Sequence, residues 1–495
     1  MIRGRWPAIA LIASYGLMGL AFLASSPPGS APDEYAHYLK AAAAGRGDLI
    51  LDRDPPPLGG GARQEWMDTQ DRLVTLPERL APEPFLCWAQ PYFLGTCDEA
   101  NPSSSLPKDF STYVGRYPPY SYVIPGLFMR FSANPVTSLY LGRLGTLLAS
   151  MPFIAVAILV LNDRRNPFSL LGLLGALTPM VLYVLSTLSS SSLEVAAAIC
   201  FIACLCRVSR PNTTAPAWVW TTTAASGASL ALIRDLGPLW VALCLALVVG
   251  LTGFRRSLSI ARSNRRRALP TGAAISLSMV IALFWQLTQG AASPFSPLSG
   301  SSFVRAIQRL PYLGHQAIGV FGPLDTRLPW PAVALWTAIL LVLVLMVAVS
   351  AHRREKAVFL LTLATVILLA VLTDAIQSGS GFEAQARHLL PIAVAIPMLG
   401  GEIVARNWHK AGWASTLLPV LTLGAASALL IAWHTIGRRF AVGTEGPVIF
   451  LDRAQWLPPF GWLFWAVVMT CGAAVLVAGH AAFSGPRADV ERAAP

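Results

Sequence analysis

Asp33, Glu34 and His37 stand within five positions of one another in "SSPPGSAPDEYAHYLKAAAAGRGD", directly after the first apolar run. Two carboxylates and an imidazole can hold or accept a proton from a hydroxyl, which is what general acid–base chemistry requires. They can also serve a helix start. Pro32 suits a first helical position, and anions are favoured in a first turn. Capping needs only one acid, however, and Ser30 could already supply the cap, so a second acid and a histidine exceed that role. The spacing predicts a short helix ending at Gly45. Tyr35, Tyr38, Leu39 and Ala42 would share an apolar face, and Asp33 and His37 another. Such a helix is expected to lie on a membrane surface.

Other charges need partners too. Arg143 sits inside a long apolar block, where a charge is costly. It should meet an anion such as a lipid phosphate inside a bundle, or snorkel to the surface. Glu194 follows the serine run Ser189–Ser192. It is either a first-turn residue behind an N-cap at Ser191 or Ser192, or a further carboxylate on an active face. Arg234 and Asp235 occupy a tight turn between apolar blocks, and Arg387 and His388 open another block in "EAQARHLLP". A guanidinium presents a planar fork that fits phosphate oxygens. The alternative is local pairing, Arg234 with Asp235 and Arg387 with Glu383. His37, Tyr117 and Gln385 are candidate supporting groups. The sequence has no phosphate loop, no HExxH, no metal-spaced Cys/His cluster and no nucleophile elbow.

The elements that position these residues follow from composition. Of 495 residues, 54% are hydrophobic and 13% charged, and the mean hydropathy is +0.56. Soluble domains carry about 25% charge. Blocks of about 20 apolar residues predict an all-α polytopic bundle of about twelve spans. They are Pro7–Ala24, Pro135–Leu161, Phe168–Thr187, Leu193–Val208, Trp218–Ile233, Leu236–Phe254, Pro270–Gln289, Pro331–Ser350, Ala357–Asp374, Leu389–Val404, Trp413–His434 and Phe460–Phe483. The first is read as a retained span, not a cleaved signal. The chain is thus expected to be one integral membrane domain, 1–495, with a long loop at 25–134 and a short tail at 484–495.

The net charge of +12 does not point to nucleic acid, because it is not gathered on one soluble surface. It recurs at alternate junctions: Arg164 and Arg165, Arg207 and Arg210, Arg255 to Arg267, Arg353 to Lys356, and Arg406 with Lys410. That is the positive-inside pattern. It places both termini in the cytoplasm and the 25–134 loop outside. "YPPYSYVIPGLFMRF" in that loop is expected to form an interfacial or re-entrant helix, with Tyr117, Tyr120 and Tyr122 near the headgroups. Of seven cysteines, Cys87 and Cys97 lie in the loop, where they could form a disulfide or remain two thiols.

With these pieces in order, the chain resembles a bacterial family of multispanning membrane proteins of unknown function, abundant in actinobacteria and similar in architecture to GT-C glycosyltransferases. The resemblance rests on "APDEYAHYLKA", "RYPPYSYVIPGL", "LGRLG", "ALTPMVLYVLSTLSSSSLE", "VFGPLDTRLP" and "QARHLLPIAVAIP". The family pattern has Asp after the serine run, where this chain has Glu194. The resemblance implies an inverting transferase acting at the outer face of the bacterial cytoplasmic membrane, in cell-envelope polysaccharide or glycolipid synthesis. The donor would be a polyprenyl-phosphate sugar and the acceptor a glycan or glycolipid, among membrane lipids. Asp33, Glu34 and Glu194 are then the expected catalytic carboxylates. Arg143, Arg234, Arg387 and His388 are expected to bind the donor phosphate. A divalent cation on Asp33, Glu34 and Glu194 is compatible with the resemblance but not required by it. A flippase for a lipid-linked glycan and a non-catalytic lipid-binding scaffold are the alternatives.

Overall fold

A chain that crosses lipid must close its backbone hydrogen bonds within itself, and helices do so segment by segment. The computed structural model describes residues 6–53, 70–95, 97, 103–162, 167–210, 214–289, 300–379, 382–408 and 414–484. Its main elements are α1 (Trp6–Ala24), α2 (Glu34–Arg46), the strands β1 (Arg72–Pro77) and β2 (Pro107–Thr112), α3 (Val123–Met129) and α4 (Pro135–Leu161). Next come α5 (Phe168–Ala176), α6 (Pro179–Leu185), α7 (Ser190–Ser209), α8 (Ala217–Ile233), α9 (Gly237–Thr252), α10 (Phe254–Ser263) and α11 (Arg265–Gln289). The chain continues through α12 (Gly300–Gly319), α13 (Trp330–Ser350), α14 (Arg353–Gly379), α15 (Ala395–Asn407), α16 (Ala414–Val442) and α17 (Gly461–Ser484). Buried apolar side chains from α1 to α17 form one continuous core.

The architecture is an all-α, polytopic membrane bundle. Among the described residues, eight helices are long and apolar enough to cross a membrane: α1, α4, α7, α11, α13, α14, α16 and α17. Counting the bent pairs α5/α6 (68°) and α9/α10 (101°) as one span each gives up to ten. The expected count is about twelve; the two expected spans outside this count are α8, which runs between Arg210 and Arg234, and Leu389–Val404, which runs between Arg387 and Arg406. The segment at α8 is a helix of 17 residues, at the lower end of the range of about 17–25 that spans a hydrocarbon core. The segment Leu389–Val404 is divided into a turn at Leu390–Ala393 and α15. The α5/α6 break is local chemistry. Pro179 starts α6, and the residue before a proline is driven out of the helical region, as Thr178 is at ψ 160. Of the expected tail, residues 485–495 lie outside the described residues.

The first loop departs most from expectation. α2 does not lie on a surface: Glu34 and every residue from Ala36 to Gly45 are buried. Its run of alanines lets other elements cover it on all sides. Tyr38 donates to the Leu80 carbonyl at 3.0 Å, and Thr112 donates to the Ala36 carbonyl at 3.0 Å. Gly45 does not end the helix. Gly47, at φ 104, caps it, while Gly45 lets α3 approach. A Cβ at Gly45 would stand 2.1 Å from the Gly126 carbonyl oxygen. α3 is the helix expected in "YPPYSYVIPGLFMRF", and it packs on α2.

The loop also holds an antiparallel pair, β1 with β2, running from Arg72↔Thr112 to Pro77↔Pro107. Cys87 and Cys97 are disulfide-bonded, with Cα atoms 5.9 Å apart. That bridge brings Tyr92 and Phe93 to a buried ion pair. Tyr92 N donates to Asp325 at 2.8 Å, and Arg439 donates to Asp325 at 2.6 Å and to the Phe93 carbonyl at 2.6 Å. Trp88 lies edge-on to Phe440 and Trp456. The loop is therefore clamped to the end of α16.

Candidate functional site

The adjacent acids Asp33 and Glu34 have opposite environments. Glu34 is fully buried and accepts four hydrogen bonds: Arg143 Nε at 2.7 Å, Arg143 Nη2 at 2.6 Å, Gly29 N at 3.1 Å and Leu188 N at 3.0 Å. Arg143, equally buried, spends its other donors on the carbonyls of Leu23 (3.0 Å), Ser26 (2.6 Å) and Pro27 (2.7 Å). All five guanidinium donors and all the lone-pair directions of the carboxylate are used. The expectations of Glu34 as a catalytic group and Arg143 as a phosphate ligand are corrected here. This closed pair joins the end of α1, the start of α2, α4 and the turn before α7. It leaves no donor or acceptor for a substrate.

Asp33 is open by comparison. It precedes α2 in the left-handed region, at φ 62, which orients it differently from the helix that follows. Its side chain keeps 34% exposure. Oδ1 accepts from Tyr113 Oη at 2.6 Å, and Oδ2 pairs with Arg387 Nη2, whose Nη1 donates to the Pro32 carbonyl at 2.7 Å. Burial works to raise the Asp33 pKa, but the Arg387 charge and the Tyr113 hydrogen bond outweigh it and hold the carboxyl below its ordinary range. Arg387 Nε has no partner. Its segment is fixed from behind: Ala384 N donates to Asp374 at 3.0 Å and Ala386 N to Gln316 at 2.9 Å.

Neither local arginine pair forms. Asp235 goes to Arg116 at 2.9 Å, and Glu383 to Arg309 at 2.9 Å. Arg234 turns instead toward Glu194, 3.6 Å away, and donates to Ser191 at 3.2 Å and Tyr117 at 3.3 Å. Its guanidinium lies 5.2 Å from the Tyr117 ring. Burial would lower the Arg234 pKa, but Tyr117 and Glu194 overcome it and keep the group firmly charged. Glu194 accepts from Trp240 Nε1 at 3.0 Å, and its other oxygen has no hydrogen-bond partner. The helix cap is Ser189, which accepts from Ser191 N at 3.2 Å. The N-cap expected at Ser191 or Ser192 is thus displaced, and Glu194 lies beyond the first turn.

His37 and His388 complete the cluster. His37 Nδ1 lies 2.7 Å from Tyr122 Oη, and the two rings stack with centroids 5.8 Å apart. Burial, then the Arg387 charge, push His37 down to about 3. Burial and the charges of Arg234 and Arg387 likewise hold His388 well below the usual histidine range. Both imidazoles are neutral near pH 7. Gln385 has a buried Oε1 without a partner. Tyr117 and Tyr122 face this cluster and not headgroups. Tyr120 remains 42% exposed.

Asp33, His37, Arg234, Glu194, Arg387 and His388 thus gather at one end of the bundle. Tyr113, Trp240 and Tyr122 belong to the same site. Tyr113 escaped the sequence reading because β2 places it, and the two strands of that pair are separated by 29 residues of chain. Among the described residues, no three of His, Cys, Asp and Glu converge as metal ligands. Asp33, Glu34 and Glu194 already face Arg387, Arg143 and Arg234 respectively, which corrects the three-carboxylate cation set.

Residues 17–396 match the model of a family described as a predicted membrane protein, DUF2142. The chain belongs to that family. No curated protein and no solved structure matches it. The DUF2142 match covers every residue of the cluster and ends before α16 and α17. It establishes a membrane protein with several apolar helices. The chemistry has to be argued from the site.

Proposed function

We propose that this protein is a polyprenyl-phosphate-dependent glycosyltransferase, with Asp33 as the carboxylate that takes the acceptor proton. The observation that carries this reading is the Asp33–Arg387 contact. It joins a partly exposed, ionised carboxylate to a guanidinium that has a free donor, beside a second cation, Arg234. Inverting transfer needs a base on the acceptor and cationic stabilisation of the leaving phosphate. The acceptor oxygen bonds to the anomeric carbon as the bond from that carbon to the phosphate oxygen breaks. Asp33 receives the hydroxyl proton, and the phosphate leaves carrying its charge toward Arg387. Donor phosphate would compete with Asp33 for Arg387. Once that partner turns away, the force holding the Asp33 pKa down weakens and the carboxylate becomes a stronger base. Tyr113 keeps it oriented.

The placement outside the cytoplasm rests on the two ends of α7. Its 20 residues span about 30 Å. The cluster lies at its start, together with the disulfide-bearing loop that contacts α2. At its far end Arg210 and Arg406 converge on Glu402, at 2.8 and 3.0 Å, and the arginines of α10 and α11 follow from the far end of α9. Basic loops face the cytoplasm, and disulfides belong to oxidising compartments. A flippase would need a polar path between the ends. The body of α7, from Val195 to Ala203, is buried and apolar, which favours a one-sided enzyme. The test is sugar transfer from a radiolabelled polyprenyl-phosphate donor into the membrane glycans of cells lacking the chromosomal copy. Wild-type protein should restore it and Asp33→Asn should not. Full restoration by Asp33→Asn would remove the base.

A further inference from the structure

Buried polar atoms without partners collect around this site: Glu194 Oε2, Gln385 Oε1 and Arg387 Nε. Glu194 is the most constrained. Its side chain is 1% exposed, Oε1 is held by Trp240, and Oε2 stands 3.6 Å from Arg234 Nη1, beyond hydrogen-bond range. Leaving a buried carboxylate oxygen without a donor is costly, more so than for a neutral group, so the missing donor is informative. Arg234 is also loosely satisfied, at 3.2 and 3.3 Å to Ser191 and Tyr117.

The corner therefore offers a strong acceptor and a strong donor side by side. A phosphate oxygen can only accept, and Glu194 would repel it. A prenyl chain offers neither donor nor acceptor. A hydroxyl group does both: its proton can go to Glu194 Oε2 while its oxygen accepts from Arg234. We propose that Glu194 and Arg234 form a subsite that reads a hydroxyl of the donor sugar, with Trp240 fixing the carboxylate. The proposal rests on the transferase reading and assigns Glu194 to recognition, apart from the proton transfer at Asp33.

Glu194→Gln tests it sharply. Trp240 Nε1–H still needs an oxygen, so it holds the amide oxygen and turns the amide NH2 toward the sugar. The acceptor becomes a donor. The full-length protein, purified in detergent, is titrated with farnesyl phosphate and with farnesyl-phosphoryl hexoses and pentoses. Glu194→Gln should weaken the best-bound sugar lipid by about tenfold or more, as expected for one lost buried polar contact. Affinity for farnesyl phosphate should stay within about twofold, a change worth under half a kcal/mol. Arg387→Lys should weaken both. Glu194→Asp keeps the charge but shortens its reach, and should show the same selective loss even if the Gln variant fails to fold. Equal weakening of both lipids, or no effect on either, overturns the subsite while leaving the transferase reading intact. A wild-type protein that binds none of the lipids overturns both.

Discussion

A guanidinium has five donors and a carboxylate about four acceptor sites, so the two can close on each other and on nearby backbone completely. Glu34 and Arg143 do so, whereas Asp33 and Arg387 leave capacity unused. Opposite consequences of substitution follow for adjacent residues. Glu34→Gln strands a buried cation and should cost about 3–5 kcal/mol, seen as a large fall in melting temperature or loss of folded protein. Asp33→Asn, whose side chain is partly exposed, should cost less stability than Glu34→Gln and abolish transfer. The histidines add a pH signature. Their folded pKa values lie below the unfolded value of about 6.5, so the unfolded chain binds protons first as pH falls. Stability should decline from about pH 6.5 toward pH 5, above the carboxylate range, by up to about 1.4 kcal/mol per pH unit for each histidine. Thermal melts across that window should show the decline, and His37→Gln should make it shallower. Which acid is open was not legible in "PDEYAH". The letters are neighbours, and only the left-handed backbone at Asp33 and the distant partners Arg143 and Arg387 separate them.

At the scale of elements, α2 is where the sequence reading succeeded and failed together. Its helical character and charged start were legible from spacing. Its burial was not, because four alanines read as neither a strong apolar face nor a polar one. Gly45 looked like a stop, yet it lies within the helix where Gly126 crosses. Gly45→Ala puts a methyl group into backbone with no side chain to move aside. It should cost at least about 2 kcal/mol as overpacking, measured by thermal melting. Because α2 begins at Asp33, transfer should fall as well. The β1–β2 pair was missed because "RLVTLP" and "PKDFST" are short and far apart in sequence, and it is what places Tyr113. Apolar blocks reveal where helices are but not where they break. Pro179 bends one block, and a break at Val394 divides another.

The whole molecule has two chemically distinct ends. One carries the Asp33 cluster and the bridged loop, the other the arginine-rich turns. That asymmetry was readable from charge spacing alone. The Cys87–Cys97 bridge tests the orientation. In intact cells treated with a membrane-impermeant reductant, both thiols should become labelled by an impermeant maleimide. Protection from labelling until the membrane is permeabilised would reverse the topology. The chemistry of the site is tested most directly by a structure of the protein with a polyprenyl-phosphate sugar bound. The donor phosphate should lie within hydrogen-bond distance of Arg387, with Asp33 released from that arginine and facing the anomeric carbon. A donor bound elsewhere, with the Asp33–Arg387 contact intact, would contradict the assignment of Asp33 and its arginine to sugar transfer.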